Sequence, residues 1–179
     1  MIMEQRKLRF ALFGNIYQAK KSASIQEVLA SIARYDAELF VDMEYYYFLK
    51  DNQHIDVDAA KIFNDDDFDA DFVISMGGDG TFLKAASRVG RKGIPILGVN
   101  MGRLGFLADI SPEDFGACLE ALYHDDYVVE SRALIQVKVD GETLSGENWA
   151  LNDVAILKRD TASMISIRAS INGQYLNTY

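Results

Sequence analysis

One short segment constrains this chain more than any other. The apolar run Phe72-Val73-Ile74 leads into Ser75-Met76-Gly77-Gly78-Asp79-Gly80-Thr81, and a helical pattern follows directly. Glycines let the backbone approach a phosphate closely and expose its N–H groups. The helix that follows would direct its positive end to the same place.

A carboxylate at this position suits a particular chemistry. Asp79 could coordinate a phosphate-bound metal or take a proton from an attacking hydroxyl group. The segment therefore predicts a phosphoryl-transfer site. The alternative is a tight turn in which Asp79 only caps the helix, although a capping carboxylate does not require three glycines.

Strand and helix patterns alternate up to about residue 125. Apolar runs predict strands over 7–13, 38–41, 71–76 and 94–99, and residues spaced at i, i+3, i+4 and i+7 predict helices between them. Ser24 and Glu27 form a capping-box pattern at the start of the first helix. Pro112 stands at the predicted first position of the last helix. We expect residues 1–125 to form a Rossmann-like α/β domain with a mostly parallel sheet.

The pattern changes after residue 125. Strand-like runs cover 134–139, 149–157 and 165–171, and Asp140-Gly141 and Asn172-Gly173 are typical hairpin turns. Residues 126–179 are expected to be the beginning of an all-β domain. Because a sheet that ended at Tyr179 would have an unfinished edge, we expect the chain to be part of a longer protein. The 179 residues alone are expected to be weakly active or inactive.

The distribution of charge is more informative than its sum. The chain carries a net charge of −9, which argues against a nucleic-acid partner. Between Phe72 and Ala108, however, Asp79 is the only acidic residue, and this window contains five basic ones: Lys84, Arg88, Arg91, Lys92 and Arg103. A local cationic patch would suit a polyphosphate, and the alternative is an exposed basic helix face.

The acidic run Asp65-Asp66-Asp67 is interpreted as a solvated loop and not as a metal site.

Composition and hydropathy exclude several other classes of protein. No apolar run reaches 18 residues, so no membrane partner is expected. The apolar run near the N-terminus is too short for a signal peptide, which makes a cytoplasmic location the default. A single cysteine excludes an intrachain disulfide framework.

Two further segments carry candidate ligand-binding residues. Residues 98–107 follow a predicted strand, at the sheet edge where α/β proteins bind ligands. Phe106 could present a flat face to a base there, or it could pack into the core. Asn152 and Asp153 lie on a predicted strand of the β region, where adjacent side chains point to opposite faces unless a bulge re-aims one of them.

Together the three segments resemble the signature series of NAD kinases. The matching strings are Gly77-Gly78-Asp79-Gly80-Thr81, the Gly98–Leu107 segment and Leu151-Asn152-Asp153-Val154. The first string is shared with diacylglycerol and sphingosine kinases and, loosely, with phosphofructokinases, and the second separates these families. The resemblance implies transfer of the terminal phosphate of ATP, or of polyphosphate, to the 2′-hydroxyl of the adenosine ribose of NAD, which gives NADP.

The resemblance also implies roles for individual residues. Asp79 would be the catalytic carboxylate, as a proton acceptor, a magnesium ligand or both, and Mg²⁺ or another divalent metal would accompany ATP. The residues implied in substrate binding are Gly78, Gly80 and Thr81 in the phosphate and dinucleotide cradle, Lys84 as an added positive charge, Phe106 in the dinucleotide pocket, and Asn152 and Asp153 on the ribose hydroxyls. A homodimer or homotetramer is also implied.

One departure and two alternatives remain open. The family usually has Asn-Glu where this chain has Asn152-Asp153, so the carboxylate is one methylene shorter. A lipid or sugar kinase could share only the glycine turn. A non-catalytic nucleotide-binding module is the remaining alternative.

Overall fold

The computed structural model describes residues 7–18, 21–102, 105–144, 148–159 and 164–179. The chain divides into two compact units, Met1–Ser131 and Arg132–Tyr179. The sequence placed the division after residue 125, six positions earlier.

A parallel five-stranded sheet forms the centre of the first unit. Its strands lie in the order β3-β2-β1-β4-β5, and every neighbouring pair is parallel. The strands are β1 (Arg9–Gly14), β2 (Glu38–Asp42), β3 (Lys61–Phe63), β4 (Phe72–Gly77) and β5 (Ile96–Asn100). All residues of β4 are buried, as expected for a central strand that is covered on both faces.

Helices cover both faces of this sheet. The helices are α1 (Ser22–Ile32), α2 (Met43–Tyr47), which continues into a π-helical turn (Phe48–Asn52), α3 (Asp79–Val89) and α4 (Phe115–Tyr123). The apolar residues of α1, α2 and α4 pack in one cluster with Phe10, Leu12 and Ile74 of the sheet. Ala85 and Val89 of α3 pack with the opposite face. Among the residues that the structure describes, no helix is long and apolar enough to span a membrane.

The α/β architecture is confirmed, whereas two predicted helix starts are wrong. Helix α1 begins at Ser22, so Ser24 lies inside it, and no side chain caps its N-terminus. Helix α4 begins at Phe115, three residues after Pro112. The Ser111 side chain instead stabilises the preceding turn, where its Oγ accepts a hydrogen bond from the backbone N–H of Asp114 at 3.1 Å.

The second unit consists of short antiparallel pairs. Strands β7 (Lys138–Val139) and β8 (Glu142–Thr143) form one hairpin, and β10 (Arg168–Ile171) and β11 (Gln174–Thr178) form another. Both predicted turns are confirmed, and the two residues of each turn have positive φ, as a type I′ turn requires. Strands β6 (Ile135–Gln136) and β9 (Trp149–Ala150) form the third pair.

The predicted strand over residues 149–157 is much shorter than expected. Only Trp149–Ala150 is strand, and residues 151–159 continue without regular secondary structure. A strand requires a hydrogen-bonded neighbour, which a local apolar pattern cannot report. Asn152 and Asp153 therefore lie on irregular, exposed backbone.

The strand order creates a topological switch point between β1 and β4. From β1 the chain runs outward to β2 and β3, then returns to the other side of β1 to form β4 and β5. At such a point, the connections that leave the carboxyl ends of the two strands diverge and leave a crevice for ligands. The glycine turn leaves β4 at this crevice, next to the end of β1 at Gly14.

The end of β1 is packed against an aromatic ring. Tyr45 of α2 is buried, and a Cβ atom added to Gly14 would lie only 2.0 Å from its ring carbon Cζ. Glycine is therefore required at this position so that α2 can close over the strand end. Burial raises the pKa of the Tyr45 phenol.

We predict that Gly14→Ala lowers the free energy of unfolding by about 1–3 kcal/mol, because the new methyl group overpacks the buried ring. The matched control is Gly116→Ala in α4, where the added Cβ meets only Ser31 Oγ at 3.8 Å. Alanine should stabilise that helix by up to about 1 kcal/mol. Urea denaturation of both variants measures these changes, and equal stabilities would contradict the packing argument.

Candidate functional site

The glycine turn lies at the switch point. Its backbone leaves β4 at Gly77, passes through Gly78 and enters α3 at Asp79. The end of β1 is bonded to β4 here, since the Asn15 backbone N–H donates to the Met76 carbonyl at 3.0 Å. The N-terminus of α3 therefore opens onto the sheet edge where α/β proteins bind ligands.

The three glycines of the turn have different structural roles. A Cβ atom on Gly77 would lie 2.2 Å from Thr81 Oγ1, so this glycine makes room for the threonine side chain. Added Cβ atoms on Gly78 and Gly80 would meet no atom of the described residues within 4 Å. Gly78 and Gly80 therefore leave the backbone open to an approaching ligand, whereas Gly77 serves internal packing.

The Asp79 carboxylate binds the loop that follows the next strand. Its Oδ2 accepts the backbone N–H of Phe106 at 3.0 Å, and its Oδ1 accepts those of Leu107 at 3.0 Å and Ala108 at 3.2 Å. The side chain is partly exposed. The alternative that Asp79 only caps its own helix is wrong, because its oxygens face a different loop and no side chain caps α3.

These hydrogen bonds set the protonation state of Asp79. The N–H groups of Phe106, Leu107 and Ala108, in that order, favour the charged carboxylate and hold its pKa below the ordinary value. An ionised carboxylate has about four lone-pair positions, of which three are used here. In this arrangement Asp79 is a weak proton acceptor with little coordination capacity left.

Gly105 permits this contact. A Cβ atom at Gly105 would lie 2.2 Å from Asp79 Oδ1. Glycine at this position therefore lets the carboxylate reach the backbone of the loop. No sequence pattern marks this role, because a glycine in a loop does not reveal which atoms approach it.

Asn100, at the end of β5, holds the same loop from the other side. Its Nδ2 donates to the Ala108 carbonyl at 3.2 Å, and its Oδ1 accepts the Gly102 backbone N–H at 2.8 Å. Its own backbone N–H donates to the Ile110 carbonyl at 2.7 Å. Sequence analysis did not single out Asn100, although an asparagine directly after a buried strand is a common loop-organising residue.

Phe106 is fully presented to solvent. Its residue surface is 94% exposed, although its backbone N–H is bonded to Asp79. Of the two alternatives for Phe106, packing into the core is therefore wrong. The exposed face of this ring is available for contact with a flat ligand group.

Two basic residues of the predicted cationic patch, Lys84 and Arg88, are paired with acidic residues of the protein. Lys84 Nζ lies 2.6 Å from Glu44 Oε2. Arg88 bonds Asp42 at 3.2 Å and also bonds Asp66 and the Asp65 carbonyl of the acidic run. The acidic partners of Lys84 and Arg88 come from distant segments of the sequence, so a local count of charge does not include them. Arg103 lies outside the described residues.

A cleft of about 280 Å³ opens at the same sheet edge. Among the described residues, its lining comes from the start of α1, the end of β5 and the segment that precedes α4: Lys21, Ser24, Asn100, Met101, Gly102, Asp109, Ser111, Pro112 and Glu113. Asp79 lies outside this lining.

The described part of the chain contains no group of three or more acidic, histidine or cysteine side chains that could hold a metal ion.

The chain matches a known family over most of the first unit. The model of the ATP-NAD kinase N-terminal domain matches residues 17–127. The chain belongs to this family. An NAD kinase of Bacteroides fragilis is 52% identical over 172 residues, which are 96% of this chain and 59% of the relative. The chain thus spans about three fifths of the length of this family member.

Solved structures of the family share the fold. A crystal structure of a yeast NADH kinase complexed with NADH superposes with a TM-score of 0.75 at 16% identity, over 99% of this chain and 56% of that one. An NAD kinase from Archaeoglobus fulgidus in complex with ATP gives a TM-score of 0.62 at 24% identity, over 96% and 57% of the two chains. At these identities the likeness establishes the α/β architecture.

The two basic residues of α3 should differ in their effect on stability. Arg88→Ala leaves the Asp42 side chain, which is only 6% exposed, without its cation and should cost about 3 kcal/mol. Lys84→Ala breaks a half-exposed pair and should cost at most about 1 kcal/mol. Denaturant unfolding of both variants measures the difference, and equal losses would contradict these assignments.

The Asp79 contacts also predict a pH dependence of stability. Because the folded pKa lies below the ordinary value of about 3.9, the carboxylate stabilises the fold above that value. This contribution should be lost as the pH falls from about 5 through the depressed folded pKa. Urea unfolding of the wild type and Asp79→Asn between pH 2 and 7 tests this. A stability difference that does not change with pH would contradict it.

Proposed function

We propose that this chain carries the catalytic carboxylate and the phosphate-facing loops of an NAD kinase. The proposed reaction transfers the terminal phosphate of ATP, or of polyphosphate, to the 2′-hydroxyl of the adenosine ribose of NAD and gives NADP. The observation that carries the proposal is the site itself. At the switch point, the turn that holds Asp79 is joined by hydrogen bonds to the loop that presents Phe106.

The names of relatives support the substrate class. The Bacteroides fragilis relative is named an NAD kinase. One similar structure is a yeast NADH kinase with bound NADH, and another is an Archaeoglobus fulgidus NAD kinase with bound ATP. We infer that this chain acts on the same two substrates.

The described residues suit phosphoryl transfer because that reaction depends mainly on positioning and charge neutralisation. The open backbone at Gly78 and Gly80 lies at the positive end of α3 and can accept a phosphate closely. Thr81 adds a hydroxyl group in the first turn of that helix. Asp79, beside this cradle, is proposed to align the acceptor hydroxyl group.

Magnesium fits as part of the nucleotide substrate. The described residues provide no cage of carboxylates, and Asp79 already accepts three hydrogen bonds. Mg²⁺ commonly binds through one or two carboxylates, water and substrate phosphates. The metal would then supply charge neutralisation at the phosphates, and the chain would contribute backbone N–H groups and orientation.

The roles proposed for the remaining residues rest on different kinds of support. Phe106 is proposed to stack on the dinucleotide, which its exposure supports. Lys84 is proposed as an additional cation for phosphate, although it would have to exchange Glu44 for the ligand. Asn152 and Asp153 are proposed to bind ribose hydroxyls on the basis of their motif alone, and both side chains are exposed.

The cellular setting and assembly are also proposals. We propose a cytoplasmic enzyme that acts on small molecules and forms a homodimer or a homotetramer. Light scattering of the full-length protein would measure its subunit number. We further propose that the α/β domain covers residues 1–125 and that the β domain begins at residue 126.

A panel of acceptors tests the proposed reaction. Full-length protein is incubated with Mg-ATP or polyphosphate and with NAD, NADH, diacylglycerol or fructose 6-phosphate, and the products are separated by chromatography. We expect phosphorylation of NAD or NADH. Phosphorylation of only the lipid or the sugar, or NAD binding without turnover in calorimetry, would contradict the proposal.

Asp79→Asn in the full-length protein should abolish NADP formation while the protein stays folded. The amide preserves the shape of the side chain but removes its charge and one of its acceptor oxygens. NADP formation by initial rate and folding by circular dichroism measure the two effects. NADP formation at close to the wild-type rate would refute the role of Asp79.

A further inference from the structure

Two side chains hold the segment 105–108 from opposite sides. Asp79 accepts the backbone N–H groups of Phe106, Leu107 and Ala108, and Asn100 donates to the Ala108 carbonyl. Both polar groups of the Ala108 backbone are therefore bonded to side chains. Since Asp79 lies on α3 and Asn100 ends β5, the segment is bonded to two separate elements of the rigid α/β scaffold.

Phe106, the most exposed residue of this segment, does not bury its side chain in the core. The Phe106 side chain is 94% exposed, so its packing cannot fix the position of its backbone. The position of its backbone is set by these hydrogen bonds together with the burial of Ala108, which is 0% exposed. A ring held in this way can bind a flat ligand group without first losing backbone freedom.

We propose that Asp79 and Asn100 are positioning residues that clamp segment 105–108 and thereby fix Phe106 for contact with the dinucleotide. This inference rests on the proposed function and deepens it. It assigns a role to Asn100, and it gives Asp79 a role besides a direct one at the reacting hydroxyl group.

The geometry favours the clamp over proton abstraction by Asp79. Three backbone donors occupy its two oxygens, and Gly105 allows one oxygen to approach the backbone so closely that a Cβ atom would lie 2.2 Å from it. A base that had to accept a proton would weaken the bonds that hold the loop. A loose phosphoryl-transfer transition state needs an aligned hydroxyl group more than a strong base.

A double-mutant cycle between Asn100 and Phe106 tests the proposal in the full-length protein. Asn100→Ala should raise the KM for NAD about tenfold, as should Phe106→Ala, while kcat changes less than about twofold. If Asn100 acts through Phe106, the double variant should be no worse than Phe106→Ala alone. Multiplicative effects of the two changes, or an unchanged KM for NAD in Asn100→Ala, would overturn the proposal.

A more conservative variant keeps the proposal testable if Asn100→Ala does not fold. Asn100→Asp keeps the oxygen that accepts the Gly102 N–H but loses the donor to the Ala108 carbonyl. It should therefore show a raised KM for NAD even if Asn100→Ala does not fold. A folded Asn100→Asp variant with wild-type KM would show that the bond to Ala108 does not position the ring.

A second readout does not depend on activity. Amide hydrogen exchange at residues 106–108 should be severalfold faster in Asn100→Ala and in Asp79→Asn than in the wild type. The matched control is Asn15→Ala at the end of β1, since among the described residues Asn15 Oδ1 accepts a hydrogen bond from the nearby Tyr17 N–H at 2.9 Å and makes none with residues 106–108. Unchanged exchange at residues 106–108, or the same acceleration in Asn15→Ala, would overturn the clamp. If the amides respond but NAD is not phosphorylated, the proposed function fails and the clamp stands.

Discussion

One carboxylate connects two strand ends. Asp79 begins the helix that follows β4, yet its oxygens accept N–H groups from the loop that follows β5. The two connections would otherwise leave the sheet edge independently. The glycine turn and the loop that carries Phe106 are therefore joined through one side chain. The local geometry of the candidate site depends on this contact.

The charges of the first unit stabilise the fold more than they attract phosphate. Arg88 forms an ion pair with the buried Asp42 and a hydrogen bond with Asp66 of the acidic run between β3 and β4. Its guanidinium group also lies 5.6 Å from the ring centroid of Phe13. Lys84 is paired with Glu44. The phosphate of the proposed function would therefore contact mainly backbone N–H groups at the start of α3, in keeping with a nucleotide that is bound together with magnesium.

Local sequence patterns predicted much of the fold and only part of the site. Helical periodicity and the Asn172-Gly173 and Asp140-Gly141 turns were reliable because both reflect interactions between near neighbours in sequence. The capping box at Ser24 and the long strand over 149–157 were wrong, because a helix start and a strand each depend on contacts that a short window does not contain. The glycine turn was recognised, but the loop that Asp79 binds, and hence the role of Asn100, required the fold.

The sheet topology also determines the order in which the strands can pair while the chain is being synthesised. Strand β1 leaves the ribosome early, but one of its two neighbours is β4, and the Arg9 backbone N–H bonds the Asp71 carboxylate across 62 positions of sequence. Until that later strand has emerged, one edge of β1 is open and apolar. The nascent chain must pass through a stage with an exposed central strand, when chaperones or other unfinished chains can compete for it.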